Sequence, residues 1–206
     1  MQPRAGQINV SRSRVASAAI LALLAGGCGA ADHPPAPVAA AATTAHCLPD
    51  ASGFLRAQLR GALNADLDWS DAQIRCEGGT RPDGAGLRVS IAGPLPQSAG
   101  AVAGRTLRFV FGIDTAAGTM DGAALATNLT AIIEGAGDAD AAIFATQGDG
   151  KCTTDRLQRR AAQGPTGAVR VDARGFCLGP ASTLNGAERL LVATFDFAAM
   201  ITPESP

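Results

Sequence analysis

The sequence LRFVF at residues 107–111 decides the fold class, because its apolar residues alternate in steps of two. Leu107, Phe109 and Phe111 fall on one face of such a segment, and Arg108 and Val110 fall on the other. A period of two is typical of a β-strand that buries one face and exposes the other. The segment therefore predicts a half-buried strand rather than a helix.

The same alternation recurs along the chain from residue 87 to residue 197. Turn sequences rich in Gly, Pro, Asp and Asn separate the alternating segments, at residues 81–84, 135–138, 164–167 and 185–186. Short strands at this spacing predict a mostly β fold, an antiparallel β-sandwich or small barrel. The residues expected to face the core, besides those of 107–111, are Leu87, Val89, Ile91, Leu129, Ala131, Ile133, Val169, Val171, Ala173, Leu191, Ala193, Phe195 and Phe197.

Residues 55–69 have a pattern that fits two structures. Every odd position is apolar or glycine, which is typical of a strand, but the leucines also recur every four residues without any β-branched neighbour, which favours a helix. We predict a strand, because the alternation extends to Trp69 and because Gly61 weakens a helix. A hairpin turning near Gly61 would pair Leu59 with Leu63 and Leu55 with Leu67, with all four leucines on one face.

Four cysteines follow the N-terminal 28 residues, and none of them forms a Cys-x-x-Cys motif. An even number of cysteines in an exported chain predicts disulfides. The midpoint of Cys152 and Cys177 falls in the turn at 164–167, and the midpoint of Cys47 and Cys76 falls beside Gly61. We therefore predict the disulfides Cys47–Cys76 and Cys152–Cys177. They would supplement a thin core, because 44 of the chain's apolar residues are alanines, which bury little surface.

The first 28 residues have the features of an export signal. Three arginines precede an apolar run over residues 15–25, which is too short to span a bilayer. The following stretch, Leu23-Leu-Ala-Gly-Gly-Cys28, resembles the lipobox of bacterial lipoproteins. That resemblance implies that Cys28 is lipidated, becomes the mature N-terminus and anchors the protein to a membrane. Since Gly29 follows the cysteine, it also implies the outer membrane. The alternative is an ordinary signal peptide cut near Ala30 or Ala31, which would leave a soluble periplasmic protein.

The remainder divides into a tether, one domain and a short tail. Residues 29–46 are rich in alanine and proline and predict a semi-extended tether that reaches roughly 50 Å. Its two histidines, His33 and His46, are expected to be solvated rather than to bind a metal. Residues 47–203 are expected to form a single β domain, followed by a tail at 204–206.

The charge of the chain excludes nucleic acid as a partner. Beyond Cys28 there are 18 acidic and 14 basic residues, which gives the mature chain a net charge of −4 and no basic face. Attachment to a membrane would therefore come from the lipid and not from attraction to anionic headgroups.

Catalytic motifs are scarce in the domain. No histidine follows residue 46, so Ser-His-Asp and Cys-His sites are excluded, and no phosphate-binding loop occurs. We predict no catalytic residue, no metal site and no cofactor. Carboxylates leave two alternatives open: a glycosidase pair drawn from Glu77, Glu134 and Glu188, or calcium binding by Asp66, Asp68 and Asp71 or by Asp138 and Asp140.

Two further features bear on binding. Trp69 is expected to lie in the core, although a sugar-stacking role is the alternative. Arg156, Arg159 and Arg160 form the only local basic cluster and suit either solvent or an anionic partner.

Together these features predict a membrane-anchored lipoprotein on the periplasmic side of the envelope. The expected role is non-enzymatic binding or scaffolding, with an envelope protein or a polysaccharide as partner. The alternatives are a carboxylate-dependent hydrolase of envelope polymers and a calcium or small-ligand binding module.

Overall fold

Antiparallel strands make up most of the computed structural model, which describes residues 47–115, 124–135, 141–148 and 150–202. Within these residues there are eleven strands and two short 3-10 helices, Asp71–Gln73 and Gln97–Val102. The strands are β1 (Phe54–Gly61), β2 (Ala65–Ser70), β3 (Arg75–Thr80), β4 (Gly86–Pro94), β5 (Thr106–Asp114), β6 (Leu125–Ile133), β7 (Ala142–Ala145), β8 (Cys152–Ala161), β9 (Val169–Cys177), β10 (Ala181–Thr183) and β11 (Arg189–Ile201). The mostly β prediction is confirmed.

The eleven strands belong to one hydrogen-bonded sheet that folds into two layers. The first layer has the strand order β2-β1-β11-β9-β8, and the second has the order β3-β4-β5-β6-β7. The short strand β10 joins β11 to β7, and the start of β8 joins β9 to β6. The architecture is therefore a β-sandwich whose layers are continuous at these corners.

Aromatic rings fill the space between the layers. Phe111 of β5 lies 4.9 Å from Phe195 and 4.8 Å from Phe197, both on β11, measured between ring centroids. Phe109 continues the cluster toward Trp69, which is 4 % exposed and donates its indole N–H to the Pro94 carbonyl at 2.9 Å. Trp69 is thus a core residue, as expected, and its ring is not available for stacking on a sugar.

The predicted alternation holds in most strands and fails at the start of β11. Leu191 and Ala193 are only half-buried, whereas Leu190 and Val192 are buried in their place. The cause is a β-bulge: Gln58 pairs with Thr194 and Leu59 with Val192, so Ala193 is an extra residue that reverses the faces of the strand. The prediction for Leu191 and Ala193 was wrong for this reason.

The hairpin of residues 55–69 forms two strands, but its register differs from the predicted one. Leu55 pairs with Trp69, and Leu59 pairs with Ala65. The pairing is centred on residue 62 instead of residue 61, and β1 continues to Gly61, where φ is +109°. A pairing shift of two residues keeps the same faces, and all four leucines are therefore still buried.

Both predicted disulfides are present, and one has the predicted setting. Cys152 and Cys177 are directly opposite each other on β8 and β9, as the turn at 164–167 suggested. Cys47 and Cys76 are bonded, but not across the β1–β2 hairpin: Cys47 precedes β1 and Cys76 lies on β3. The pairing was correct and the reason given for it was wrong.

All described residues fall in one compact unit. Cys28, the leader, the tether with its two histidines and the tail lie outside the described residues, so these predictions stay predictions.

Candidate functional site

The three candidate glutamates do not form a glycosidase site. Glu77 and Glu134 come together on the outer face of the second layer, where both accept hydrogen bonds from Arg108, at 3.4 and 2.9 Å. Glu188 lies elsewhere, in the turn between β10 and β11. Since Arg108 occupies the space between the two carboxylates, no room is left there for a glycosidic oxygen and a water.

The three candidate calcium ligands near Trp69 are separated as well. Asp66 and Asp68 point outward and pair with Arg60 and Arg56 at 2.8 and 3.0 Å. Asp71 is 3 % exposed and its Oδ1 accepts backbone N–H groups from residues 48 and 53, at 2.9 and 3.0 Å. Among the residues that the structure describes, no group of three His, Cys, Asp or Glu side chains could hold a metal ion. Asp138 and Asp140 lie outside those residues.

The structural role of Asp71 was missed in the sequence. Its carboxylate ties the segment that follows Cys47 to the start of β1, and a Cβ atom on Gly53 would collide with it and with the Cys47 side chain. The small residue at position 53 therefore permits this close approach. A polar residue directly after an alternating strand was the available signal.

An open groove crosses the outer face of the first layer and is the candidate functional site. Its volume is about 480 Å³, and a second depression of about 310 Å³ adjoins it, since Arg174 and Asp196 line both. We call the larger depression the outer groove; its polar lining residues are Arg56, Gln58, Asp66, Asp68, Asp155, Arg174, Thr194 and Asp196.

Strand register brings the charges of the outer groove into one transverse row. Arg156 is opposite Arg174, Arg174 is opposite Asp196, and Asp196 is opposite Arg56. Arg56 is in turn opposite Asp68 of β2. Five strands thus present three arginines and two aspartates side by side on one surface.

Two β-bulges shape this surface. In β8, Thr154 pairs with Gly175 and Arg156 with Arg174, so Asp155 is an extra residue. Because of it, Asp155 faces the outer groove and Arg156 the adjoining depression. The bulge in β11 likewise places Thr194 on the outer face. Sheets often use bulges to redirect side chains at functional sites.

Four charged groups at the outer groove and its adjoining depression have unused hydrogen-bonding capacity. Arg156, Arg174 and Asp196 make no side-chain hydrogen bond to any described residue, and Asp155 Oδ1 is buried without a hydrogen-bond partner. Arg174 Nε and Asp155 Oδ1 are 4.0 Å apart, which is beyond hydrogen-bond distance. By contrast, the carboxylates of Asp66 and Asp68 in the outer groove, and of Asp172 in the adjoining depression, are paired with arginines.

Of the predicted basic cluster, two members lie beside the outer groove. Arg156 and Arg160 line the adjoining depression, and Arg160 Nη2 donates to Asp172 Oδ2 at 2.8 Å. Arg159 lies at the intervening position of β8, on the other face. Beyond Thr154, β8 pairs only with β9, so this arginine-rich segment forms an edge of the sheet in the described part of the chain.

A charged network closes the end of this face nearest the disulfide Cys47–Cys76. Arg170 donates to both oxygens of Asp172, at 2.9 to 3.1 Å, and to Ser52 Oγ; it also lies 3.5 Å from Asp50. Partial burial alone would raise the pKa of Asp172, but the hydrogen bonds from Arg170 and Arg160 outweigh it and hold the pKa below its ordinary value. The hydrogen bond from the Ser52 side chain, followed by smaller contributions, lowers the pKa of Asp50 as well.

This network predicts an acid-sensitive contribution to stability. At neutral pH, Asp172→Asn should lower the free energy of unfolding by about 1 kcal/mol, since a partly solvated carboxylate loses charge-assisted hydrogen bonds. Because the folded pKa lies below the unfolded value, near 3.8, the difference should be full above that value and vanish as the pH falls through the folded pKa. Urea unfolding of both proteins across this range measures it; a difference that stays constant into strong acid would contradict the assignment.

The shifts in pKa do not favour acid–base chemistry. Among the described residues, three carboxyl groups have a displaced pKa, and hydrogen bonds from Ser52, Arg81 and Arg170 lower it at Asp50, Asp83 and Asp172 respectively. A general acid needs a carboxyl group whose pKa is raised. The arrangement of the outer groove, with paired and unpaired side chains of both signs, is suited to binding.

The chain matches no protein-family model, no curated protein and no solved structure. In the described part of the chain, no helix is long and apolar enough to cross a membrane.

Proposed function

We propose that this protein is a membrane-anchored lipoprotein of the periplasmic side of the envelope, and that it acts by non-enzymatic binding through the outer groove. The observation that carries the proposal is a group of charged side chains, at Asp155, Arg156, Arg174 and Asp196, that form no side-chain hydrogen bond with any residue that the structure describes. An unpaired polar group on a protein gains more from a ligand than one already saturated by its neighbours. The two disulfides support export, since such bonds persist in oxidising compartments.

The envelope location depends on the leader and is tested separately. Cys28→Ser should move the protein from the membrane pellet to the soluble fraction, because one lipid-modified cysteine is the only anchor that we propose. Cell fractionation and mass analysis of the mature N-terminus measure this. A serine variant that stays with the membranes would refute the lipid anchor.

The binding role is tested with a charge-matched pair of double variants. Arg174→Ala with Asp196→Ala removes one positive and one negative unpaired group from the outer groove. Arg75→Ala with Glu188→Ala removes the same charges at exposed positions outside it. Neither double variant removes a side-chain hydrogen bond or ion pair between described residues apart from the 4.0 Å approach of Arg174 to Asp155, so both should fold.

The experiment is affinity capture by the lipidated full chain from detergent-solubilised envelopes. We expect a component that wild type and the Arg75/Glu188 control retain, and that the Arg174/Asp196 variant retains about tenfold less. Equal retention by both variants, or capture of nothing by wild type, would refute binding through the outer groove.

A further inference from the structure

The outer groove runs across the strands. Its floor spans β9, β11, β1 and β2, three inter-strand steps that together measure about 14 Å, and Asp155 of β8 lies at one end. A ligand that fills it would lie perpendicular to the strands and contact one or two side chains from each. This shape suits a linear chain of repeating units.

The backbone beneath the outer groove excludes one common way of binding a peptide. Strands β9, β11 and β1 each have a hydrogen-bonded neighbour on both sides. An extended peptide that joins a sheet needs the free backbone groups of an edge strand. A ligand lying over these three strands must therefore be recognised by side chains.

Those side chains present donors and acceptors side by side. Arg174 and the Gln58 amide donate, Asp196 and Asp155 accept, and the Thr194 hydroxyl does both. None of the five makes a side-chain hydrogen bond to a described residue. A hydroxyl group donates and accepts at once, so a ligand rich in hydroxyls can satisfy both kinds of partner with one chemical group.

The charge of the lining argues against a polyanion. Two arginines, Arg56 and Arg174, stand among four aspartates, which leaves an acidic excess in the outer groove. A nucleic acid or a polyuronate would meet like charge at about every second contact, which is destabilising. A neutral chain carries no such penalty.

An apolar surface completes the lining at one end. Phe176 of β9 is half-buried and contributes to the outer groove beside Thr194, its neighbour on β11. Ligand sites commonly combine such a ring with a few placed polar groups. The C–H face of a sugar ring is apolar and its hydroxyls lie around the rim, which matches this combination.

We propose that the outer groove binds a neutral, hydroxyl-rich polysaccharide laid across strands β9, β11, β1 and β2. This inference rests on the binding function proposed above and names its ligand class. Arg174 and Asp196 supply the central donor and acceptor, and Phe176 supplies the stacking surface.

The test uses defined oligosaccharides and the full chain carrying Cys28→Ser. Cellohexaose, maltohexaose and chitohexaose are each titrated into this protein by calorimetry. The same titrations are repeated with the protein that also carries the Arg174/Asp196 double substitution and with the one that carries the Arg75/Glu188 double substitution. We expect at least one of the three sugars to bind with a Kd below about 1 mM, about tenfold weaker for the Arg174/Asp196 variant and unchanged for the control. Phe176→Ala should weaken the same sugar without changing the melting temperature by more than a few degrees.

Three results would overturn the proposal. They are the absence of binding by all three sugars, equal weakening by both double variants, and preferential binding of polygalacturonate. If envelope capture depends on the outer groove while no neutral sugar binds, the ligand class is wrong and the binding function stands. If neither depends on it, both are wrong.

Discussion

Phe111→Ala is expected to lower the free energy of unfolding by about 4 kcal/mol, the largest effect of any single substitution considered. Phe111 is fully buried, and its ring centroid lies 5.8 Å from that of Phe109 on its own strand. It also contacts Phe195 and Phe197 of the opposite layer, at 4.9 and 4.8 Å. The substitution loses the free energy gained by burying the ring and removes the contacts that join the two layers. A cavity adds to the loss, because the strands around it cannot collapse to fill the space.

Urea unfolding followed by the fluorescence of Trp69 measures this effect. Trp69 is the only tryptophan, is 4 % exposed and lies 6.2 Å from Phe109, so its emission reports the core directly. Leu184→Ala is the matched control, since Leu184 is 85 % exposed and its truncation should cost less than about 0.5 kcal/mol. A loss below about 1 kcal/mol for Phe111→Ala would mean that this cluster does not hold the layers together.

The alternation that identified the core in sequence has a physical limit, which β11 illustrates. Phe195 and Phe197 were correctly placed, but Leu191 and Ala193 were assigned to the wrong face. A period of two assumes that no residue is inserted, and a bulge breaks that assumption without leaving a compositional mark. The predicted pairing of β1 with β2 was also wrong, because the length of the loop shifts the pairing by two residues. Such a shift leaves every side chain on the same face of its strand, so the pattern of apolar residues does not distinguish the two pairings.

The candidate site was harder to predict than the fold. Arg156 and Arg160 were noted because they are close in sequence, whereas Arg174 and Asp196 carry no local signal. Arg174 and Asp196 are 22 positions apart along the chain (196 − 174) and meet because β9 pairs with β11. The bulge in β8 lets both Asp155 and Arg156 face outward. Sequence patterns show which face of a strand is exposed, but the order of strands in the sheet decides which exposed residues meet.

Gly175 shows how the core and the outer groove depend on each other. It faces the core opposite the bulged segment of β8, and a Cβ atom there would collide with the Thr153 carbonyl and the Phe195 ring. The absence of a side chain lets β8 and the core ring approach closely at the point where Asp155 is displaced outward. The outer surface is therefore set partly by packing on the inner one.

Removal of the Cys152–Cys177 disulfide is the second large effect expected. The paired substitution Cys152→Ser and Cys177→Ser should lower the free energy of unfolding by about 3 kcal/mol, since the bond closes a loop of 25 residues in the unfolded chain. For a domain of this size the melting temperature should fall by about 10 °C. Calorimetric melting of the double variant measures the change, and Cys47→Ser with Cys76→Ser provides a comparison because its loop of 29 residues predicts a similar loss.

Position in the fold distinguishes the two bonds where loop length does not. Cys152 lies at the corner where β8 pairs with β6 through only three residues, and Thr127 and Thr154 share a buried hydroxyl hydrogen bond of 2.9 Å there. Without the Cys152–Cys177 disulfide, amide hydrogen exchange should accelerate first at this corner. Opening the short β6–β8 ladder requires less free energy than opening the long β9–β11 ladder. Since Asp155 and Arg156 follow directly, sugar binding should weaken in the Cys152/Cys177 variant and persist in the Cys47/Cys76 variant at temperatures where both are folded. Equal exchange at the corner in the two variants would show that the β6–β8 junction, and the bulge beside it, are held by the sheet alone.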